Sequence, residues 1–327
     1  KYDLSGNVKV LSLGKDLILD IRYCSPRAKP RGIFGKLFAR LKYALKFYRY
    51  IWQERNNYDA VFVHMNSEYV VLGGWLWRLL GKKIGLWYAH GHVPTALRIA
   101  EKFADFIFTS TKSGCRLKSE KIRVVGQGID VNQFQPIGHK VRNDEQFKII
   151  SVGRISPAKD LETLVEAIAS LKEDEKFSKI TVELIGDASR PGDGNYRDEI
   201  KNLIKEKGLE DKIKFLGRIP NREIIGYLQE ADLFVNMGQT GSLDKAILEA
   251  MSTGLPILTC NEALLEVLGD YKDRLMYEKK NYKALADKIR YIMKLNNDEY
   301  QQLADHLRRT VVEGHSLKNL VKKIIKI

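Results

Sequence analysis

Residues 151–171 read SVGRISPAKDLETLVEAIASL. They continue Phe147-Lys148-Ile149-Ile150, an apolar run that suits a strand buried on both faces. Gly153 to Lys159 then forms a loop. From Asp160 the apolar residues Leu161, Leu164, Val165, Ile168 and Leu171 recur at helical spacing, with Asp160 as the expected N-cap. Strand, loop and helix in that order predict an α/β unit with a parallel sheet. Arg154 and Lys159 share the loop, beside a helix N-terminus, where free N–H groups and the helix dipole favour an anion. An Arg fork and a Lys point charge suit a diphosphate. An ordinary solvated loop with two surface cations fits the same spacing.

Residues 240–260, TGSLDKAILEAMSTGLPILTC, form the second informative stretch. Small residues predict a turn, then a helix from Asp244 to Ser252, stopped by Gly254 and Pro256, then a buried strand. Glu249 is a carboxylate inside that helix. It cannot hold a phosphate, but it can accept ribose hydroxyls. A solvent-facing helical Glu is the plainer alternative.

Together the two stretches resemble the family 4 retaining glycosyltransferases of GT-B fold. Their G-R…K loop and E-x7-E element running into A-M-x2-G-x-P correspond to Gly153-Arg154, Lys159, Leu248-Glu249-Ala250-Met251 and Gly254-Leu255-Pro256. The chain departs from the pattern twice. Asp160 follows Lys159 where Gly is usual, and Gly241 stands where the first Glu, a donor-sugar ligand, would fall. The resemblance implies two Rossmann-like domains facing each other across a cleft. Residues 1–140 would be the acceptor-side domain, 141–307 the nucleotide-sugar donor domain, and 308–327 a C-terminal helix crossing back to the first domain. It implies Gly153, Arg154 and Lys159 at the donor diphosphate, Glu249 at the ribose, and Ser242, Leu243 and Asp244 as a sugar or phosphate loop. His90, after the strand Lys83–Ala89, would contact donor sugar and acceptor, with His92 the second choice. The Ser or Thr pair that the family often has at the strand Asp105–Ser110 would face the same cleft.

The family's N-domain begins with a strand, a Gly-rich loop, a helix and a second strand. None of these precedes Val8–Leu13, so a first domain incomplete at its start is expected. The second domain alternates strands at 147–152, 180–186, 212–216, 232–236, 256–259 and 274–277 with helices.

The chain has 327 residues, enough for two domains of ordinary size, and 44% are hydrophobic. The N-terminal residues lack the apolar h-region of a signal peptide, and the run at Tyr69–Trp77 is too short to span a bilayer. Cys24, Cys115 and Cys260 show no C-x-x-C pairing and read as reduced thiols of a cytoplasmic chain. No His/Cys/carboxylate spacing suits a metal, so neither metal nor cofactor is expected. Arg154 and Lys159 would neutralise the leaving diphosphate instead.

Net charge is +14, and residues 1–140 carry all of the surplus, with 24 Lys and Arg against 10 Asp and Glu. It concentrates in residues 26–55. Leu37, Phe38, Leu41, Ala44, Leu45, Tyr48 and Trp52 are expected on one helical face there, with Lys36, Arg40, Lys42, Lys46 and Arg49 on or near the other. A basic amphipathic helix with aromatics suits an anionic membrane surface, and it suits equally a packing helix with a basic exposed side. No nucleic-acid module is recognisable. The expected activity is transfer of a sugar, with retention, from a nucleotide-diphosphate sugar to a lipid-linked or glycan acceptor at the inner membrane face. A degenerate, non-catalytic nucleotide-sugar-binding or partner-regulating protein is the alternative.

Overall fold

The computed structural model describes residues 33–138, 145–188, 193–238 and 242–326, with side chains from residue 41 onward. Val8–Leu13, Cys24, Gly241 and the expected domain boundary between residues 140 and 141 lie outside the described residues. The protein is α/β with two sheets, and it divides into two compact units. Of the described residues, the smaller holds 33–88, 94–107 and 119–121, and the larger holds 89–93, 108–118 and those between 122 and 326.

Helix α1 (Ile33–Glu54) leads into β1 (Ala60–His64), α2 (Ser67–Leu79), β2 (Lys83–Trp87), α3 (Thr95–Phe103), β3 (Phe106–Thr109) and β4 (Ile122–Val124). The first sheet has the order β1-β2-β3-β4. Strands β1 and β2 are parallel, with Ala60 opposite Lys83 and His64 opposite Trp87. Helices α2 and α3 touch so closely that a Cβ on Gly74 would lie 2.6 Å from the Phe103 Cβ.

Helix α1 packs mainly through a stripe that the expected apolar face leaves out. Its packed residues are Tyr43 and Ile51, both buried, with Phe47 half-buried between them. Tyr43 shares a 2.6 Å hydroxyl contact with Tyr69, and Phe47 meets Trp77 edge-on at 5.7 Å. Leu41, Leu45 and Trp52, expected together on one apolar face, are more than half exposed, at 56%, 61% and 53%. The helix is apolar on two stripes, and the flat aromatic stripe is the one that fits against α2. Lys42, Lys46 and Arg49 are exposed beside the outward stripe.

The larger unit holds β5 (Phe147–Val152), α4 (Leu161–Ala169), β6 (Ile180–Ile185), α5 (Asp193–Glu206), β7 (Ile213–Gly217), α6 (Asn221–Glu230), β8 (Leu233–Asn236), α7 (Lys245–Ser252) and β9 (Ile257–Thr259). The short α8 (Leu265–Leu268) and α9 (Lys272–Leu275) follow, then α10 (Tyr282–Lys294), α11 (Asn297–His315) and α12 (Leu317–Ile325). The second sheet is parallel, in the order β7-β6-β5-β8-β9. Its core includes Ile149, Ile150, Leu233, Phe234 and Val235, none of them measurably exposed. The strand expected at 274–277 is not there. That stretch ends a helical turn, and Met276 makes one isolated bridge to Thr259.

Chain order reverses at β5. The chain moves outward through β6 and β7, then returns to place β8 on the other side of β5. The carboxyl ends of β5 and β8 therefore flank a topological switch point, where open α/β sheets leave a crevice for ligands.

The last two helices are separated at Ser316 and dock on residues 126–129. Gly128 and Ile129 donate N–H groups to the His315 carbonyl at 3.0 and 2.8 Å, and Leu317 returns one to the Ile129 carbonyl at 2.8 Å. A Cβ on Gly126 would lie 2.3 Å from the Gly314 carbonyl oxygen.

Candidate functional site at the switch point of the second sheet

The loop after β5 is held by its neighbour. Gly153 N–H donates to the Ile185 carbonyl at 2.9 Å, and Ile155 N–H to the Asp187 carbonyl at 3.2 Å. Gly186, at φ 139°, ends β6 beneath the loop, and a Cβ there would come within 1.8 Å of the Gly153 carbonyl oxygen. Only glycine fits such an approach.

Asp160 occupies the N-cap position of α4 but does not cap it with its side chain. Its φ is +47°, a left-handed conformation that glycine adopts without steric cost. The Asp160 carboxylate instead accepts from the Thr163 hydroxyl at 2.9 Å. The first helical N–H, of Leu161, is taken by the Tyr196 hydroxyl at 2.8 Å, which itself donates to Glu162 at 2.5 Å. Burial foremost, then the Glu162 contact, holds the Tyr196 phenol neutral by raising its pKa.

Lys159 crosses back over the loop. A Cβ on Gly153 would be 3.1 Å from its Cε, and one on Gly238 would be 3.5 Å from its Nζ. The ammonium lies between two glycines at the ends of β5 and β8 and pairs with Asp244. Arg154 is one-third exposed, yet its Nε is buried without a hydrogen-bond partner among the described residues. Asp193, the first residue of α5, approaches that nitrogen at 3.9 Å.

Asp244 is the N-cap of α7, its Oδ1 accepting the Ala246 N–H at 3.2 Å. Leu243 is buried in the core, and the Ser242 carbonyl accepts from Asn261 at 2.8 Å, so this loop is fixed from below. Glu249 lies further along α7, half-buried, near Asn221 at the start of α6. Burial raises its pKa most strongly, opposed by Asn221 and Lys245 and reinforced by the Asp244 charge.

Gly153, Arg154, Lys159 and Asp244 thus meet at one crevice, with Glu249 on the same helix as Asp244. His90 lies in the loop after β2, exposed, its Nδ1 accepting the His92 N–H at 3.0 Å, which leaves Nε2 to carry the proton of the neutral ring. Gly91 sits beside Arg116, whose Nε would be 3.5 Å from a Cβ there. Among the described residues no group of three or more His, Cys, Asp or Glu side chains could hold a metal ion. Asn236, Asp193 and Asn221 were not singled out from sequence. Asn236 carried a usable signal, being a polar residue that closes the apolar run Leu233-Phe234-Val235 where the sheet order reverses.

The sequence model of the family described as "Glycosyl transferases group 1" matches residues 135–326, more than half of the chain. The chain belongs to that family. Relatives of this group 1 glycosyltransferase include WcaL of Escherichia coli strain K12, whose name assigns it to colanic acid biosynthesis. It is 28% identical over 207 residues, or 61% of this chain and 48% of WcaL. The amylovoran biosynthesis glycosyltransferase AmsK of Erwinia amylovora is 31% identical over 154 residues, covering 45% of this chain and 35% of AmsK. The chain thus spans about half or less of the length of these curated relatives. Among solved structures, Anabaena HepE in complex with UDP superposes with a TM-score of 0.73 at 18% identity, covering 86% of this chain and 81% of HepE. Sucrose-phosphate synthase of Thermosynechococcus elongatus reaches 0.69 at 19% identity, covering 93% and 80%. The fold is that of these GT-B enzymes.

Proposed function

We propose that this group 1 glycosyltransferase transfers a sugar from a nucleotide-diphosphate sugar to an acceptor hydroxyl, with retention, in the making of a glycolipid or surface polysaccharide. The observation that carries the reading is the convergence of Arg154 and Lys159 on the crevice at the ends of β5 and β8. Two cations there neutralise charge as it develops on a leaving diphosphate, so the transfer needs no metal. Glu249 accepts hydroxyls of the donor ribose, and His90 meets the donor sugar and acceptor. The names of WcaL and AmsK, and HepE structures holding UDP and UDP-glucose, support a nucleotide-sugar donor and a polysaccharide product.

The acceptor is lipid-linked or glycan, reached at the cytoplasmic face of a membrane. Supporting this, α1 turns Leu41, Leu45 and Trp52 outward beside Lys42, Lys46 and Arg49, an apolar stripe edged with cations that suits an anionic lipid surface. Among the described residues no helix is long and apolar enough to cross a membrane. A second reading, a non-catalytic nucleotide-sugar-binding protein, is favoured by Gly241, which offers no carboxylate where the family has its first Glu.

Thermal-shift titration with a panel of nucleoside diphosphates tests the donor assignment. Arg154→Ala and Lys159→Ala should each weaken binding by about 1.5–3 kcal/mol, the scale of a hydrogen bond to a charged group. Unchanged affinity in both variants would remove the diphosphate assignment. Turnover of a bound nucleotide sugar separates the transferase from the binding protein.

A further inference from the structure

Lys159 is already occupied by an anion of the chain itself. Its ammonium pairs with Oδ2 of Asp244, and the same oxygen accepts from the Asn236 amide at 3.4 Å. The other oxygen takes the Ala246 N–H at the N-terminus of α7, at 3.2 Å. One carboxylate therefore collects a lysine, a side-chain amide and a helix N-terminus. This is the donor set that binds phosphate elsewhere in proteins. The arrangement is also confined. Gly153 and Gly238 flank the Lys159 amine, and Asn236 is itself fixed by accepting the Gly238 N–H at 3.1 Å. Arg154 differs, since its buried Nε has no hydrogen-bond partner among the described residues and Asp193 is only within ion-pair distance.

We propose that Asp244 is an internal substitute for the donor's phosphate. It pairs with Lys159, Asn236 and the α7 N-terminus, and an incoming diphosphate must displace it. The inference rests on the diphosphate reading of Arg154 and Lys159. Displacement follows from charge. A carboxylate left in contact with Lys159 would face incoming phosphate oxygens at short range, and like charges in a partly buried crevice repel strongly. Asp244 thereby sets donor affinity. Ligands carrying less negative charge than a diphosphate compete poorly for Lys159, so the lock also screens against them.

The alternative is that Asp244 positions Lys159 and stays paired when ligand binds. The two roles predict opposite signs for Asp244→Asn, which keeps the N-cap and the side-chain shape while removing the charge. Inorganic diphosphate and UDP should be titrated by calorimetry into the unaltered chain, Asp244→Asn, Lys159→Ala and the double variant. Asp244→Asn should tighten binding of both ligands by about tenfold or more, the scale of one competing charge-assisted hydrogen bond. On the Lys159→Ala background the same substitution should tighten binding clearly less, because only the contacts to Asn236 and the α7 N-terminus and the like-charge repulsion are then relieved. Asp244→Ser, which also caps, should act in the same direction as Asn. Weaker binding by Asp244→Asn would make Asp244 a positioning residue and overturn the proposal. Equal tightening with and without Lys159 would reduce it to a general charge effect and overturn it as well. If Lys159→Ala and Arg154→Ala leave binding unchanged, the diphosphate reading fails first and takes this proposal with it.

Discussion

Lys42, Lys46 and Arg49 on α1 are exposed, whereas Lys159 and Arg154 lie against Asp244 and Asp193. The same residue types do opposite work. On α1 the cations edge Leu41, Leu45 and Trp52 and belong to the surplus charge of the first 140 residues. In the loop after β5 each cation has a carboxylate beside it, and residues 141–327 hold as many acidic as basic groups. Net charge therefore located the surface and missed the crevice. A balanced domain can still concentrate positive potential where backbone geometry gathers it, and an ion pair at such a point is a site whose charge is held in reserve.

The sharpest way to break the comparison is through backbone. The paired cations depend on the fit of the Gly153 carbonyl over Gly186, and the exposed ones depend on no such contact. Gly186→Ala should cost about 3 kcal/mol or more of stability, since the clash is with backbone and the conformation is one that non-glycine residues rarely adopt. Denaturant unfolding measures it, and any folded fraction should have lost nucleoside-diphosphate binding. A variant of unaltered stability that still binds UDP would show that the loop does not need this support.

Charge reversal addresses the other region. Changing Lys42, Lys46 and Arg49 to Glu should lower affinity for anionic vesicles by about 1 kcal/mol for each cation lost, and by more through repulsion. Diphosphate binding in the larger unit should be unchanged. Co-sedimentation at low and high salt decides the matter, because screening shortens the reach of these charges from about 10 Å at 0.1 M to about 3 Å at 1 M. Equal pelleting with neutral and anionic vesicles would assign α1 to packing alone.

The smallest effect belongs to Asp160. Replacing it with Gly relieves a left-handed residue but loses the Thr163 hydrogen bond and adds unfolded-state freedom. The net change in stability should stay within about 1 kcal/mol, on the destabilising side. Thermal unfolding that showed a large gain would mean that the strain at Asp160 outweighs its hydrogen bond.

Strands β8 and β9 were legible as apolar runs because every residue in them is buried. Phe147–Val152 begins and ends where its apolar run does. Residues 274–277 misled for the same reason, since Leu275, Met276 and Tyr277 are apolar but belong to a helical turn and a single bridge. On α1 the helical period was plain, but with apolar residues on two stripes the period alone could not choose the inward one. At the site, Arg154 and Lys159 were legible from their loop. Asp244 was placed at the site by resemblance, but its pairing with Lys159 was not legible, because the two are 85 residues apart and no local pattern joins them.

The docking of residues 314–317 on residues 126–129 bears on how the protein comes into being on the ribosome. Gly126, Gly128 and Ile129 are made before the whole second sheet, yet their backbone partners are Gly314, His315 and Leu317, made after it. The emerging chain can assemble β5 to β9 as each strand appears, but the 126–129 segment must wait for the end of α11. Such long-range closure is slow and leaves backbone groups unmet in the interval. A nascent chain halted short of residue 314 should therefore carry a formed sheet beside an unclosed seam, open to protease near Gly126 until synthesis passes α11.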